Sequence, residues 1–501
     1  MNYTYDDIGQ LKTARGEDAL GAGAILLEQF GYGYDKAWNL NYRTNNAMIE
    51  SFSVNNLNEL NSAGHSGTLT VGGTTAEPGS KISSVTVNGS PATEYADGTF
   101  AATGFSPSYG QNTYTAIAGD TAGRSSTNSV TVNVASNASY TYDSNGNLTG
   151  DGTRDFGYND ENQLVAIWVA GSWSNSFTYD GFMRKRIEQQ FAWTGGSWTE
   201  TNEVRYIYDI DLVLQERDKN DKPLTTYTRG IDLSGTLQGA GGIGGLLARS
   251  DNQKIVPAIL SPENPNPENV VTSYYFSDSQ GNISALVSPS GMILAQYQYD
   301  PFGNLISKSG LMADINKCRY SGKEWEENAG LYYYGYRFYD PNLQRWINRD
   351  PLGEPGFETL QGRSSILAGT LFSSYLRPRG DILYAYVLNG PVNHYDPLGL
   401  VDRGPGTMAC KQAEEQAEAA WELYDAEPSD ENLTSAMALS FAAAFYCSPP
   451  PPPPPFWQRA CECVKTGAEA IGGACLDAAG ALGGLWIFIG QDPTANPYHH
   501  A

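Results

Sequence analysis

A nine-residue unit recurs along the chain: aromatic, any residue, Tyr, Asp, two residues, Gly, one residue, Leu. It reads YTYDDIGQL at Tyr3 to Leu11, YTYDSNGNL at Tyr140 to Leu148 and YQYDPFGNL at Tyr297 to Leu305. Looser copies are FGYNDENQL at Phe156 to Leu164, FTYDGFMRK at Phe177 to Lys185, YIYDIDLVL at Tyr206 to Leu214 and YFSDSQGNI at Tyr275 to Ile283. Two aromatics two residues apart lie on one face of a strand, where they stack on the neighbouring strand. The Asp side chain bonds its own backbone two residues on, Gly or Asn takes the positive φ of the turn, and Leu starts the return strand on the core side. One unit cannot bury its aromatic face alone, so the copies must pair edge to edge into a long sheet. The 32 tyrosines and 55 glycines suit many short strands joined by tight turns. The expected fold class is therefore mainly β.

A second landmark ends the repeats. It opens RYSGKEWEENAGLYYYGYRFYDPNLQRWINRDPLG at Arg319 to Gly353 and closes DILYAYVLNGPVNHYDPLGL at Asp381 to Leu400. The repeats resemble the YD repeats of Rhs proteins, teneurins and the C components of Tc toxins. The second landmark resembles the Rhs repeat-associated core that ends their repeat region. The resemblance covers roughly residues 1–61 and 136–400 and implies a β-sheet spiralling into a hollow shell, the cocoon of that family. The expected organisation is shell at 1–61 and 136–318, core at 319–400, and a variable tail at 401–501.

Residues 62–135 interrupt the repeats with alternating Val and Thr and frequent turn signals, as in SVTVNGSPA and NSVTVNV. They resemble a bacterial Ig-like domain, expected as a reduced β-sandwich inserted in the shell, serving as a spacer or binding a sugar or cell-surface ligand. The stretch GAGGIGG at Gly239 to Gly245 lacks the Lys-Ser or Lys-Thr of a phosphate cradle and is expected to be a flexible loop.

In the Rhs and Tc families the core is associated with an intramolecular aspartyl protease that frees the polypeptide beyond the closing DPxGL. Here that motif is Asp396 to Leu400, so the resemblance places the cut between Leu400 and Val401. A carboxylate pair cuts a peptide bond when one member is ionised and activates water while the other is protonated and polarises the carbonyl. The resemblance points to Asp350, with Arg349 beside it, and to a partner from the returning segment. Asp381 is ranked ahead of Asp396, which also suits a turn, since Asp-Pro-x-Gly is strong turn chemistry whatever else it does. The long loop from Glu354 to Gly380 departs from the short glycine-rich link usual in the family, and Arg349, Arg377 and Arg379 are all candidate counter-charges.

The tail has a different composition. Lys411 to Cys447 is Ala- and Glu-rich and reads as two helices, a stiff proline run follows at Pro449 to Pro455, and Cys463 to Gly490 is rich in small and apolar residues. That last stretch suits either membrane contact or a glycine-rich packed helix. A mostly α-helical tail is expected. Five of the six cysteines lie in it, with Cys318 alone in the body, so disulfides are expected only if the tail reaches an oxidising compartment. The four histidines and the cysteines form no zinc spacing, and no metal or cofactor is expected.

The formal charge of −24 argues against a nucleic-acid surface on the shell, because phosphate contacts need a basic footprint. The first residues lack the basic and apolar regions of a signal peptide. Hence the chain is expected to be part of a longer secreted or cell-surface protein, or exported by a dedicated system. Two readings of function remain. In one, the shell encapsulates its own C-terminal tail and severs it as a toxin or other effector, with a delivery module and an immunity protein as partners. In the other, the chain is a structural or adhesion protein whose Ig-like module binds a surface and whose junction performs no catalysis.

Overall fold

The computed structural model describes residues 1–18, 23–75, 81–134, 138–252, 270–351 and 383–400, with residues 418, 421, 424 and 436 beyond them. The chain divides into two compact units, Met1–Pro351 with Arg379–Val401, and Leu352–Pro378 with Asp402–Ala501. The first unit is built almost wholly of antiparallel strands. In the second, Glu418, Trp421, Tyr424 and Ala436 are helical. The rest of the expected tail helices, the proline run, five cysteines and the apolar stretch lie outside the described residues.

Two sheets follow chain order strand by strand. The first has seven strands, from Asn2–Tyr5 to Leu60–Ser66, with Ala138–Ser139 added at its end. The second has fourteen, from Thr141–Tyr142 to Leu305–Ser309, each hydrogen-bonded to the next. The repeat makes this order. At Asp6 the side-chain Oδ1 accepts from the N–H groups of Ile8 and Gln10 at 3.1 and 2.8 Å, and Gly9 takes φ 88°. The same carboxylate-centred turn stands at Asp143, Asp180, Asp278 and Asp300, and an amide oxygen replaces the carboxylate at Asn159. Each turn reverses the strand and shifts the register by one residue beside it, as between Thr4 and Tyr5.

The structure also contains copies that the consensus did not reveal, YGYDKAWNL at Tyr32 to Leu40 and FSVNNLNEL at Phe52 to Leu60, with turns on Asp35 and Asn55. Trp38 at φ 68° and Asn58 at φ 61° stand where the consensus has Gly. YIYDIDLVL, by contrast, turns tightly through Ile210, φ 49°, without that motif.

Between Leu69 and Val134 the chain forms two smaller sheets, one of three strands and one of four, which share a core of Val85, Val87, Phe100, Ala102 and Tyr114. Residues 62–66 still belong to the seven-stranded sheet, where Ala63 and Ser62 pair with Ala138 and Ser139 on the chain's return.

The landmark after the repeats forms a four-stranded sheet, Glu324–Glu326, Leu331–Tyr333, Phe338–Asp340 and Arg345–Trp346. Period-two alternation sends its residues to opposite cores. Tyr332 and Tyr334 pack with Leu11, Tyr32 and Phe302, whereas Leu331 and Tyr333 pack with Leu148, Phe156 and Phe177. Tyrosine serves here better than Phe where its buried hydroxyl finds a carbonyl. Tyr320, Tyr339 and Tyr332 donate to Pro301, Phe302 and Gly303, three successive carbonyls of one repeat turn, at 2.8, 2.8 and 3.1 Å.

Candidate functional site

The strand Phe338–Asp340 is preceded by Arg337, a cation in an otherwise aromatic and buried run. Arg337 is 3 % exposed and lies over the Trp346 ring at 4.2 Å. Its Nη2 reaches Asp350 Oδ2 at 2.8 Å and stands 3.6 Å from Asp396 Oδ2, while its Nε donates to the Gly399 carbonyl. One guanidinium thus joins two of the carboxylates expected from the sequence to the closing DPLGL. A buried cation of this kind needs such partners.

Asp350 is held from the other side as well. Its N–H donates to the Leu383 carbonyl at 3.2 Å, Trp346 N–H donates to Tyr384 at 2.9 Å, and Arg345 bridges to Ala385. The segment Leu383–Tyr386 therefore lies alongside the 345–350 segment. Asp381 is two residues before Leu383 and lies outside the described residues, as do the Glu354 to Gly380 loop, Arg377, Arg379 and Val401.

Asp396 shapes the arm that carries Leu400. Its Oδ1 accepts from the N–H groups of Leu398, Gly399 and Leu400 at 3.2, 2.8 and 3.1 Å. The arm's carbonyls are held in turn: Lys323 Nζ donates to Pro397, Tyr336 N–H to Leu398 at 3.0 Å, and Arg337 to Gly399. Gly399 adopts φ 78°, and a Cβ there would stand 3.2 Å from both Arg337 N and Tyr334 Cβ. The GAGGIGG stretch is part of the same packing and not a free loop. Ala240 and Gly242 donate to the Asp232 carboxylate, Ala240 and Ile243 pack with Tyr395, and a Cβ on Gly241 would meet the Pro397 carbonyl oxygen at 2.1 Å.

Arg349 has a different set of contacts from Asp350. It reaches Glu59 Oε1 at 3.2 Å and the Tyr384 hydroxyl at 3.3 Å, tying the junction to the seven-stranded sheet. The residues that sequence reading missed are Arg337 and Lys323. Both were visible as charges inside the strings RYSGKEW and YYYGYRFYDP, where the surrounding apolar alternation implies burial.

Lys323 is 8 % exposed, and burial pulls its ammonium down to about 8, with Arg229 acting the same way and Asp396, Asp232 and Asp211 opposing. A larger buried charge cluster lies further off. Lys185 Nζ contacts Glu324 at 3.0 Å, Glu188 at 3.5 Å and also Glu326, and Lys317 reaches Glu188, Glu216 and Glu324. Glu188, Glu324 and Glu326 are close enough to ligate a metal together, but the Lys185 ammonium already contacts all three. Burial and the charge of Glu188 push the Glu326 carboxyl up to about 8, so the cluster keeps a proton near neutrality.

Residues 55–136 match the family described as Glucodextranase, domain B. The chain is 29 % identical over 269 residues to the tRNA3(Ser)-specific nuclease WapA of Bacillus spizizenii, covering 52 % of this chain and 9 % of that protein. It is 34 % identical over 128 residues to the protein YibJ of Escherichia coli, 26 % of this chain and 45 % of YibJ. Toxin subunit YenC1 of Yersinia entomophaga is 30 % identical over 130 residues, 25 % of this chain and 11 % of YenC1. Its relatives include toxin subunits and tRNA nucleases. The chain spans less than half the length of each of these three. The crystal structure of TcdB2-TccC3-Cdc42 aligns with 80 % of this chain and 18 % of its own at 17 % identity and a TM-score of 0.39, too low to support an inference. Among the described residues no helix is long and apolar enough to cross a membrane.

Proposed function

We propose that this chain is the repeat-and-junction part of an Rhs-type polymorphic toxin, and that it severs its own C-terminal tail between Leu400 and Val401. The observation that carries this reading is the single buried guanidinium of Arg337, which binds Asp350, faces Asp396 and holds the arm one residue short of the proposed bond. Asp350, neutralised by Arg337, is the ionised carboxylate that takes a proton from water. The partner carboxyl gives its proton to the Leu400 carbonyl oxygen as the water oxygen adds to the carbon. Asp350 passes the proton it took to the Val401 nitrogen, one hydroxyl of the adduct returns its proton to the partner carboxylate, and the C–N bond breaks to leave the Leu400 carboxyl and the Val401 amine. Asp396 Oδ1 accepts three backbone N–H bonds and serves the turn, and Asp381, which the resemblance places before the LYxY strand, is taken as the partner. The repeat sheets enclose the freed tail, the effector, whose delivery and immunity partners are further proteins.

The test is denatured intact mass of the purified full chain and of Asp350→Asn, Asp381→Asn and Asp396→Asn. Two fragments meeting at Leu400 and Val401 are expected from the parent chain and from Asp396→Asn, whose amide oxygen still accepts the turn bonds. Asp350→Asn and Asp381→Asn are expected to stay whole. Full-length mass in all four samples would refute the reading.

Residues 62–135 favour a second, adhesive reading, because the two smaller sheets share a core of their own around Val85, Val87, Phe100, Ala102 and Tyr114, and residues 55–136 match Glucodextranase, domain B. On that reading they form an Ig-like sandwich that binds a surface glycan. Glycan binding that persists after deletion of residues 401–501, in a chain that never cleaves, would favour it.

A further inference from the structure

We propose that Lys323 is a positioning residue for tail release: its buried side chain fixes the Pro397 carbonyl and so keeps the Pro397–Leu400 arm in register with Asp350, Arg337 and Asp396. This rests on the self-cleavage reading. Lys323 Nζ donates to two carbonyls on separate segments, Pro397 in the arm and Gly241 in the glycine turn, the latter at 3.1 Å. Among the described residues no carboxylate lies within ion-pair distance of it. A buried ammonium spent on carbonyls adds little to stability compared with an apolar side chain of the same length. What it does add is a fixed position for Pro397, through donors that only a charged or hydrogen-bonding side chain supplies.

The groups around it are few. Tyr334 presents its ring face at 5.2 Å, Asp396, Asp232 and Asp211 favour the ammonium, and Arg229 opposes it. Its proton is lost as pH rises through about 8. The neutral amine is the weaker donor, so the grip on Pro397 loosens on the alkaline side.

Two measurements test this. In an Asp350→Asn full chain, hydrogen exchange is followed at the Leu398, Gly399 and Leu400 amides with and without Lys323→Met. Exchange about tenfold faster at these amides, with the strand Lys185–Thr194 unchanged, is expected from the loss of charge-assisted bonds. Unchanged exchange would overturn the proposal. In chains with Asp350 intact, timed cell-free synthesis follows the appearance of the 401–501 fragment. Lys323→Met is expected to slow it at least about tenfold at pH 7. Lys323→Arg is expected to restore the rate and to lack the fall that the parent shows between pH 7 and 9. Faster exchange with an unaltered cleavage rate would also overturn the positioning role. If the parent makes no fragment, self-cleavage itself fails, and exchange alone decides whether Lys323 holds the arm.

Discussion

Replacing Arg337 with Met removes one charge from a site that contains three. At an effective dielectric of about 20, opposite charges 2.8 Å apart attract by ~6 kcal/mol and those 3.6 Å apart by ~5 kcal/mol. Most of that offsets the desolvation of three ions, so the net cost of breaking the site is ~3–5 kcal/mol, with two uncompensated carboxylates and the Gly399 carbonyl left behind. For a unit of about 370 residues unfolding in one step, ~4 kcal/mol lowers Tm by about 5 °C. The assay is a double-mutant cycle in urea, with Arg337→Met, Asp350→Asn and Asp396→Asn singly and in pairs. The shorter contact predicts the larger coupling, ~2–3 kcal/mol for Arg337 with Asp350 and less for Arg337 with Asp396. A cost under ~1 kcal/mol for Arg337→Met, or additive effects within ~0.5 kcal/mol for the Asp350 pair, would refute the argument that one buried guanidinium organises the junction.

Lys185→Met leaves Glu188, Glu324 and Glu326 without their shared ammonium, and is expected to cost ~3–5 kcal/mol in urea melts at pH 7. Glu326 has a folded value raised to about 8, so its contribution to stability is complete below its ordinary value of 4.5 and is lost as pH rises through about 8. Glu326→Gln should therefore flatten the decline in stability of the parent chain from pH 5 to 8, and parallel melting curves would count against it. Gly241→Ala places a Cβ against the Pro397 oxygen at a φ of 59°, and should lower Tm and slow tail release together, as read by melting and fragment mass. Asp300→Ala strips the buried turn of three acceptor bonds, with an expected loss of ~1–3 kcal/mol by chemical denaturation.

The repeat turns were legible because they are local. The aromatic-x-Tyr-Asp-x-x-Gly order encodes a side chain that bonds its own backbone, and a residue with positive φ, within five positions. The copies at Tyr32 and Phe52 depart from the consensus at Trp38 in the first, which stands where Gly is usual, and at Val54, Asn55 and Asn58 in the second, which replace Tyr, Asp and Gly together. At Trp38 the surrounding ladder holds a conformation that the residue itself does not prefer, whereas Asn58 adopts it readily. At the junction, the resemblance pointed to Asp350, with Asp381 ranked ahead of Asp396 as its partner and Arg349, Arg377 and Arg379 as the candidate counter-charges, and Arg337 was not among them.

Chain order and turn chemistry alone thus dictated a mainly β fold, the break in the repeats at residues 62–135 and the aromatic density of the core. Which cation meets which carboxylate was decided only in three dimensions. Arg349 is adjacent to Asp350 in sequence, yet it extends to Glu59 in a turn of the seven-stranded sheet, while Arg337, thirteen positions away, bonds Asp350. The reason is physical. Hydrogen bonds of a turn are closed by the residues that flank it, whereas a buried ion pair is set by whichever strands the hydrophobic packing brings face to face.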